Sequence, residues 1–98
     1  MHIQQTNAFA PRVGESFDMV LGAEATKSLT LVEVRPLTPH KFPGMLRDPF
    51  SLIFRSESQV VMPQQIYRLK NEAMGPLDIF LVPVGRDPRG TIYEAVFN

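Results

Sequence analysis

The chain has no cysteine, which removes disulfides, a thiol nucleophile and every cysteine-based zinc or iron–sulfur site from consideration. It has no charge imbalance either. Ten Lys and Arg stand against ten Asp and Glu, with no basic run of five residues, so nothing draws it to phosphate backbones or anionic lipid. Neither nucleic acid nor a membrane is expected as a partner. Long apolar runs are also missing: residues 79–82 form one of the longest, far below the roughly 20 residues a helix needs to span a bilayer. Residues 1–7 lack the positive and apolar regions of a secretory signal, so the expected compartment is the cytoplasm.

The motifs of familiar chemistry are equally scarce. The six glycines are isolated at turn positions, whereas a phosphate-cradling loop gathers them between a strand and a helix. No Gly-x-Ser-x-Gly elbow is present, and a serine such as Ser51 has no histidine placed to activate it. The two histidines, His2 and His40, have no second ligand at metal-binding spacing. No metal and no cofactor are expected.

What the chain does contain is alternation. Residues 15–21 place Phe17, Met19 and Leu21 on one face, and residues 50–55 place Phe50, Leu52 and Phe54 on one face with Ser51 and Arg55 on the other, the period of half-buried strands. Residues 28–35 alternate with a change of phase. Leu29 and Leu31 point one way and Val32 and Val34 the other, which predicts either cover on both faces or a bulge near Val32. Residues 60–69 read as a strand interrupted by Pro63, with Ile66, Tyr67 and Leu69 as packing groups and residues 56–59 as the hairpin turn before it. Residues 71–76 turn the chain, with Gly75 able to take a positive φ. Residues 77–84 and 91–97 then form a closing hairpin whose connection, residues 85–90, is longer than a two-residue turn, with Asp87-Pro88 opening a type I turn and Gly90 restoring register. A chain that ends in a strand is expected to need that end for its core.

Six strand candidates without a sustained helical period predict an all-β fold, an antiparallel meander closing into a small barrel or a two-layer sandwich. The 98 residues suit a single domain, 1–98. Residues 1–13 form an irregular lead-in, in which Phe9 plugs one end of the core. Residues 36–49, with four prolines, form a long loop of the kind that is often functional.

Two sets of residues could carry function. Glu33 and Glu94 interrupt apolar strands, and a buried carboxyl of that kind can serve as a general acid. Cross-strand ion pairs among Glu33, Asp78, Glu94 and Arg35, Arg55, Arg68 explain the same pattern better. The second set is a binding surface. Phe42, Met45 and Leu46 in the proline-rich loop either fold back over a barrel end or face a partner, and Gln64 and Gln65 beside Pro63 mark a strand edge to which another strand could add.

The segments Pro49-Phe50-Ser51-Leu52-Ile53-Phe54-Arg55, Pro63-Gln64-Gln65-Ile66-Tyr67, Met74-Gly75-Pro76-Leu77 and Phe80-Leu81-Val82-Pro83-Val84-Gly85, and the ending Tyr93-Glu94-Ala95-Val96-Phe97-Asn98, resemble an uncharacterised family of bacterial proteins of about this length. The ending is the most specific part. The resemblance implies no activity or catalytic residue; it implies a gene neighbourhood shared with phage-tail-collar-domain proteins, and hence an assembly or accessory role with a tail-collar-like protein as partner. The leading expectation is a non-enzymatic protein-interaction module. The alternative is a small-ligand or carbohydrate-binding barrel, an enzyme if Glu33 or Glu94 acts on the ligand. A third reading pairs two copies edge to edge as a homodimer.

Overall fold

A computed structural model describes residues 6–23, 25–37 and 49–97. Within them the alternating runs form β1 (Ser16–Val20), β2 (Thr26–Pro36), β3 (Phe50–Ser56), β4 (Gln65–Asn71), β5 (Gly75–Asp87) and β6 (Gly90–Phe97). Neighbouring strands pair antiparallel in the order β1-β2-β3-β6-β5-β4, and β4 returns to β1 to close a barrel. Closure removes the sandwich from consideration. It also corrects the connectivity: two three-stranded meanders are joined by residues 57–64, which cross from β3 to β4 without making the hairpin expected at residues 56–59. The strand expected over residues 60–69 begins only at Gln65, and Pro63 lies in the crossover.

Alternation fills the barrel. Phe17 and Met19, Leu29 and Leu31, Phe50, Leu52 and Phe54, Tyr67 and Leu69, and Tyr93 are all buried, and burying each large apolar side chain stabilises the fold by about 1.5–3 kcal/mol. Phe17 and Phe54 meet edge to face at 5.3 Å and 74°, the arrangement that sets a positive ring edge on a negative face. A short helix, α1 (Thr6–Phe9), and a 3-10 turn (Ala10–Arg12) carry Phe9 onto one barrel end. There it lies 6.1 Å from Phe50 and 5.7 Å from Phe97, which stack on each other at 4.8 Å. Leu21, expected on the core face of β1, lies beyond the strand and is exposed.

The change of phase in β2 is a bulge. Leu31 pairs with Phe54 and Glu33 with Ile53, leaving Val32 as the extra residue. Val34 therefore packs on the core, while Glu33 and Arg35 face outward. β5 carries a second bulge at Val84, between Pro83 and Gly85, next to a residue with no N–H to give to a ladder. The closing hairpin is tighter than expected: Asp87 pairs with Gly90, leaving only Pro88-Arg89 as its turn. Gly75, at φ +75°, begins β5 directly after the turn at residues 72–74. The Leu37 N–H donates to Pro49 O at 3.0 Å, drawing together the two ends of the proline-rich connection. No helix among the described residues is long and apolar enough to cross a membrane.

Candidate functional site

The barrel closes unevenly. β4 and β5 share seven residue pairs, but β4 and β1 share two, Asp18 with Lys70 and Met19 with Leu69. β1 runs beside β4 as far as Val20, which this register sets opposite Arg68, so residues 65–67 have β5 on one side and, among the described residues, no paired strand on the other. Successive residues of an antiparallel strand send their backbone N–H and C=O groups to opposite neighbours, so only part of the backbone of residues 65–67 turns toward the open side. Gln64 and Gln65 are both exposed at the start of this stretch.

An apolar pair lies beside that edge. Ile66 and Phe80 are direct cross-strand partners, 66% and 49% exposed. This corrects the assignment of Ile66 to the core. The signal was in the alternation: Ile66 shares its face with Arg68 and Lys70, whereas Tyr67 and Leu69 turn inward. Further along the same face Arg68 stands opposite Asp78, with Nε donating to Oδ1 at 3.1 Å. The apolar pair thus adjoins a neutralised charge pair. On the inner side the Tyr67 hydroxyl donates to Pro63 O, and burial pushes its pKa up, which keeps it a neutral donor that holds the approach to β4.

The other residues singled out in the sequence fall elsewhere. Phe42, Met45, Leu46 and His40 lie outside the described residues. Glu33 accepts from the Arg35 guanidinium at 3.0 Å and 3.2 Å, and that hydrogen bonding holds its carboxyl below the usual range. A general acid needs the reverse. Glu94 lies on β6 opposite Ile53 and Val82, far in register from the open side of β4. Among the described residues no group of three His, Cys, Asp or Glu could hold a metal ion.

Sequence reasoning missed the pairing of Arg55 with Asp87. Arg55 grips both carboxylate oxygens of Asp87, at 2.9 and 3.0 Å, across 32 positions of sequence that no local rule connects. The Arg89 N–H also donates to Oδ1 at 2.9 Å, and Gln59 Nε2 donates to the Asp87 carbonyl at 2.9 Å. Asp87 thereby anchors the crossover to the closing hairpin. The guanidinium, aided by the Arg89 N–H, lowers the Asp87 pKa. A carboxylate depressed on folding contributes stability that is present above its unfolded value of about 3.9 and is lost as the pH falls through its lower folded value. The denaturation midpoint of the native protein is therefore expected to fall more steeply below about pH 4 than that of Asp87→Asn. Parallel acid curves would remove the linkage.

A polar cleft of about 620 Å³ lies where β1 meets the β4–β5 turn, lined by Arg12, Glu15, Asp18, Lys70, Asn71 and Glu72. Two pairs of opposite charge lie across it, with Arg12 bound to Glu15 at 3.0 Å and Asp18 opposite Lys70. Asn71, almost fully buried, spends its whole amide on the protein: Nδ2 donates to Glu15 Oε1 and Ser16 O, and Oδ1 accepts from the Ala73 and Met74 N–H groups. The cleft is a clamp between turn and strand.

No curated protein and no solved structure matches the chain. The model of one family, described as Domain of unknown function (DUF6916), matches residues 5–97, and the chain belongs to that family.

Proposed function

We propose that this protein is a non-enzymatic interaction module, an assembly accessory that receives an extended segment of a protein partner along the open side of β4. The observation that carries the reading is the coincidence of the open side of β4 at residues 65–67 with the exposed pair Ile66 and Phe80. Backbone groups on an edge supply affinity to an added strand, and side chains at alternate positions supply selectivity. Gln64 and Gln65 add amides at the entrance to that edge. The downward shift of the Glu33 carboxyl favours binding over acid catalysis. The partner class is a tail-collar-domain protein, on the strength of the resemblance.

The test is calorimetric titration of a purified tail-collar-domain protein from the same genome. The native chain is expected to bind, and Ile66→Arg, which alters an exposed side chain and spares the core, is expected to weaken binding at least tenfold, about 1.4 kcal/mol. Equal binding by the variant would place the contact elsewhere, and no binding by the native chain would overturn this partner.

A further inference from the structure

We propose that the open side of β4 receives the free C-terminal end of a partner chain, lying parallel to β4 with its last residue level with Tyr67 and its carboxylate against Arg68. The proposal rests on the docking reading above and names the part of the partner that enters.

Three observations point to a chain end. First, the slot is blocked. β1 runs antiparallel to β4 with its last residue, Val20, level with Arg68, and from there the chain turns through residues 21–25 into β2, the Leu21 N–H donating to Ala25 O at 2.9 Å. An added strand therefore has room beside residues 65–67 and none beside Arg68. An internal segment must leave the sheet at that point, whereas a chain end stops there without a turn. Second, the open backbone belongs to one residue. The Leu21 bond to Ala25 turns the odd residues of β1 toward β2, so Asp18 and Val20 turn toward β4, where Asp18 is level with Lys70. The even residues of β4 accordingly send N–H and C=O toward β1, and within residues 65–67 that leaves Ile66 with both groups on the open side. A parallel strand satisfies both. Its residue before the one level with Ile66 accepts from the Ile66 N–H, and the residue after it, the last of the chain, donates to the Ile66 C=O.

Third, charge selects which end. An N-terminus fits the same slot antiparallel to β4, but the side chain at the closed end is Arg68, which would meet an ammonium group with like charge. The nearest carboxylates, Asp18 and Asp78, each stand opposite a cation of their own, Lys70 and Arg68. Arg68 reaches Asp78 through Nε and Nη2, at 3.1 and 3.5 Å, and its Nη1 makes no hydrogen bond among the described residues. Both members of that pair are 58% exposed, so it is weak, and the guanidinium has donors left for a second carboxylate. The penultimate residue of the partner is then level with Ile66 on the outer face. An apolar side chain there lengthens the Ile66 and Phe80 pair into a row of three.

Libraries of random hexapeptides displayed with either free C-termini or free N-termini test the proposal. The native protein is expected to enrich binders from the first library alone, with an apolar residue at the penultimate position. Amidating the C-terminus of a selected peptide is expected to weaken its binding about tenfold or more. Arg68→Gln is expected to weaken the free acid severalfold and to leave the amide unchanged, and Ile66→Arg to weaken both, each variant keeping the native thermal midpoint. Ile66-dependent binders that come from the free N-terminal library, that tolerate amidation, or whose carboxylate gains nothing from Arg68 overturn the chain end and leave the docking reading standing. Binders indifferent to Ile66→Arg, or none from either library, overturn the chain end together with the docking of an extended segment at this edge.

Discussion

Replacing Gly90 by alanine is expected to cost the protein at least about 4 kcal/mol, at the extreme of single-substitution effects. Two penalties combine at this position. Gly90 has φ +139°, a conformation that costs a residue with a side chain about 1–3 kcal/mol. A Cβ there would also lie 1.8 Å from Ser56 O, 2.8 Å from its carbonyl carbon and 2.9 Å from Glu57 Cα. All three are backbone atoms, so no side chain can swing aside. Relief requires moving the point where the crossover leaves β3, and the Thr91 hydroxyl bond to Ser58 O (3.0 Å) and the Gln59 bond to Asp87 O (2.9 Å) move with it. At roughly 4–8 °C per kcal/mol for a chain of this size, the thermal midpoint should fall by about 15–30 °C, or the variant should fail to accumulate in soluble form. Gly85→Ala is the control, because Gly85 has open space around its Cβ position and needs no positive φ; its effect should stay within about 0.5 kcal/mol. A Gly90→Ala protein that melts within a few degrees of the native one would mean that the crossover does not approach β6 this closely.

The positions that sequence read correctly are those where a local rule and the final packing agree. Phe50, Leu52 and Phe54 alternate because one face of β3 lines the barrel, and the swap of apolar parity at Val32 is the trace a bulge leaves. Arg68 and Asp78 are opposite charges at matched positions around one turn. Local pattern does not say which strand lies beside which. Ser56-Glu57-Ser58-Gln59 has the composition of a hairpin turn, and its side chains do make turn-like bonds, with the Ser58 N–H donating to Ser56 Oγ and the Val60 N–H to Ser58 Oγ. Those bonds steer the chain across the barrel instead, where Tyr93 receives it through the Met62 N–H. The site followed the same division. Its apolar half follows from parity and not from hydrophobicity: Ile66 shares the outward face of β4 with Arg68 and Lys70, opposite to Tyr67 and Leu69.

Asn71 should prove the second most sensitive position. The β1–β4 seam has only two residue pairs, and the Asn71 amide ties the seam to the turn through four hydrogen bonds of 2.9–3.2 Å. At about 1 kcal/mol for each hydrogen bond lost, Asn71→Ala is expected to destabilise the protein by roughly 3–4 kcal/mol. Asn71→Asp separates the two halves of that effect. Its oxygen can still accept from Ala73 and Met74, but the other oxygen now faces Glu15 Oε1 and the Ser16 carbonyl with no proton to give. Like charges at that spacing disfavour ionisation, so the new carboxyl has its folded pKa raised above the unfolded value of about 3.9. A raised carboxyl penalises the fold progressively as the pH climbs past the unfolded value, and fully above the folded one. The deficit of Asn71→Asp relative to the native protein should therefore be largest at neutral pH and shrink on acidification to about pH 4, while the deficit of Asn71→Ala has no such component. Hydrogen exchange should locate the damage, with β1 and the β4–β5 turn opening early and the β3–β6 ladder staying protected. Uniform loss of protection across all strands would show instead that the seam and the rest of the barrel open as one unit.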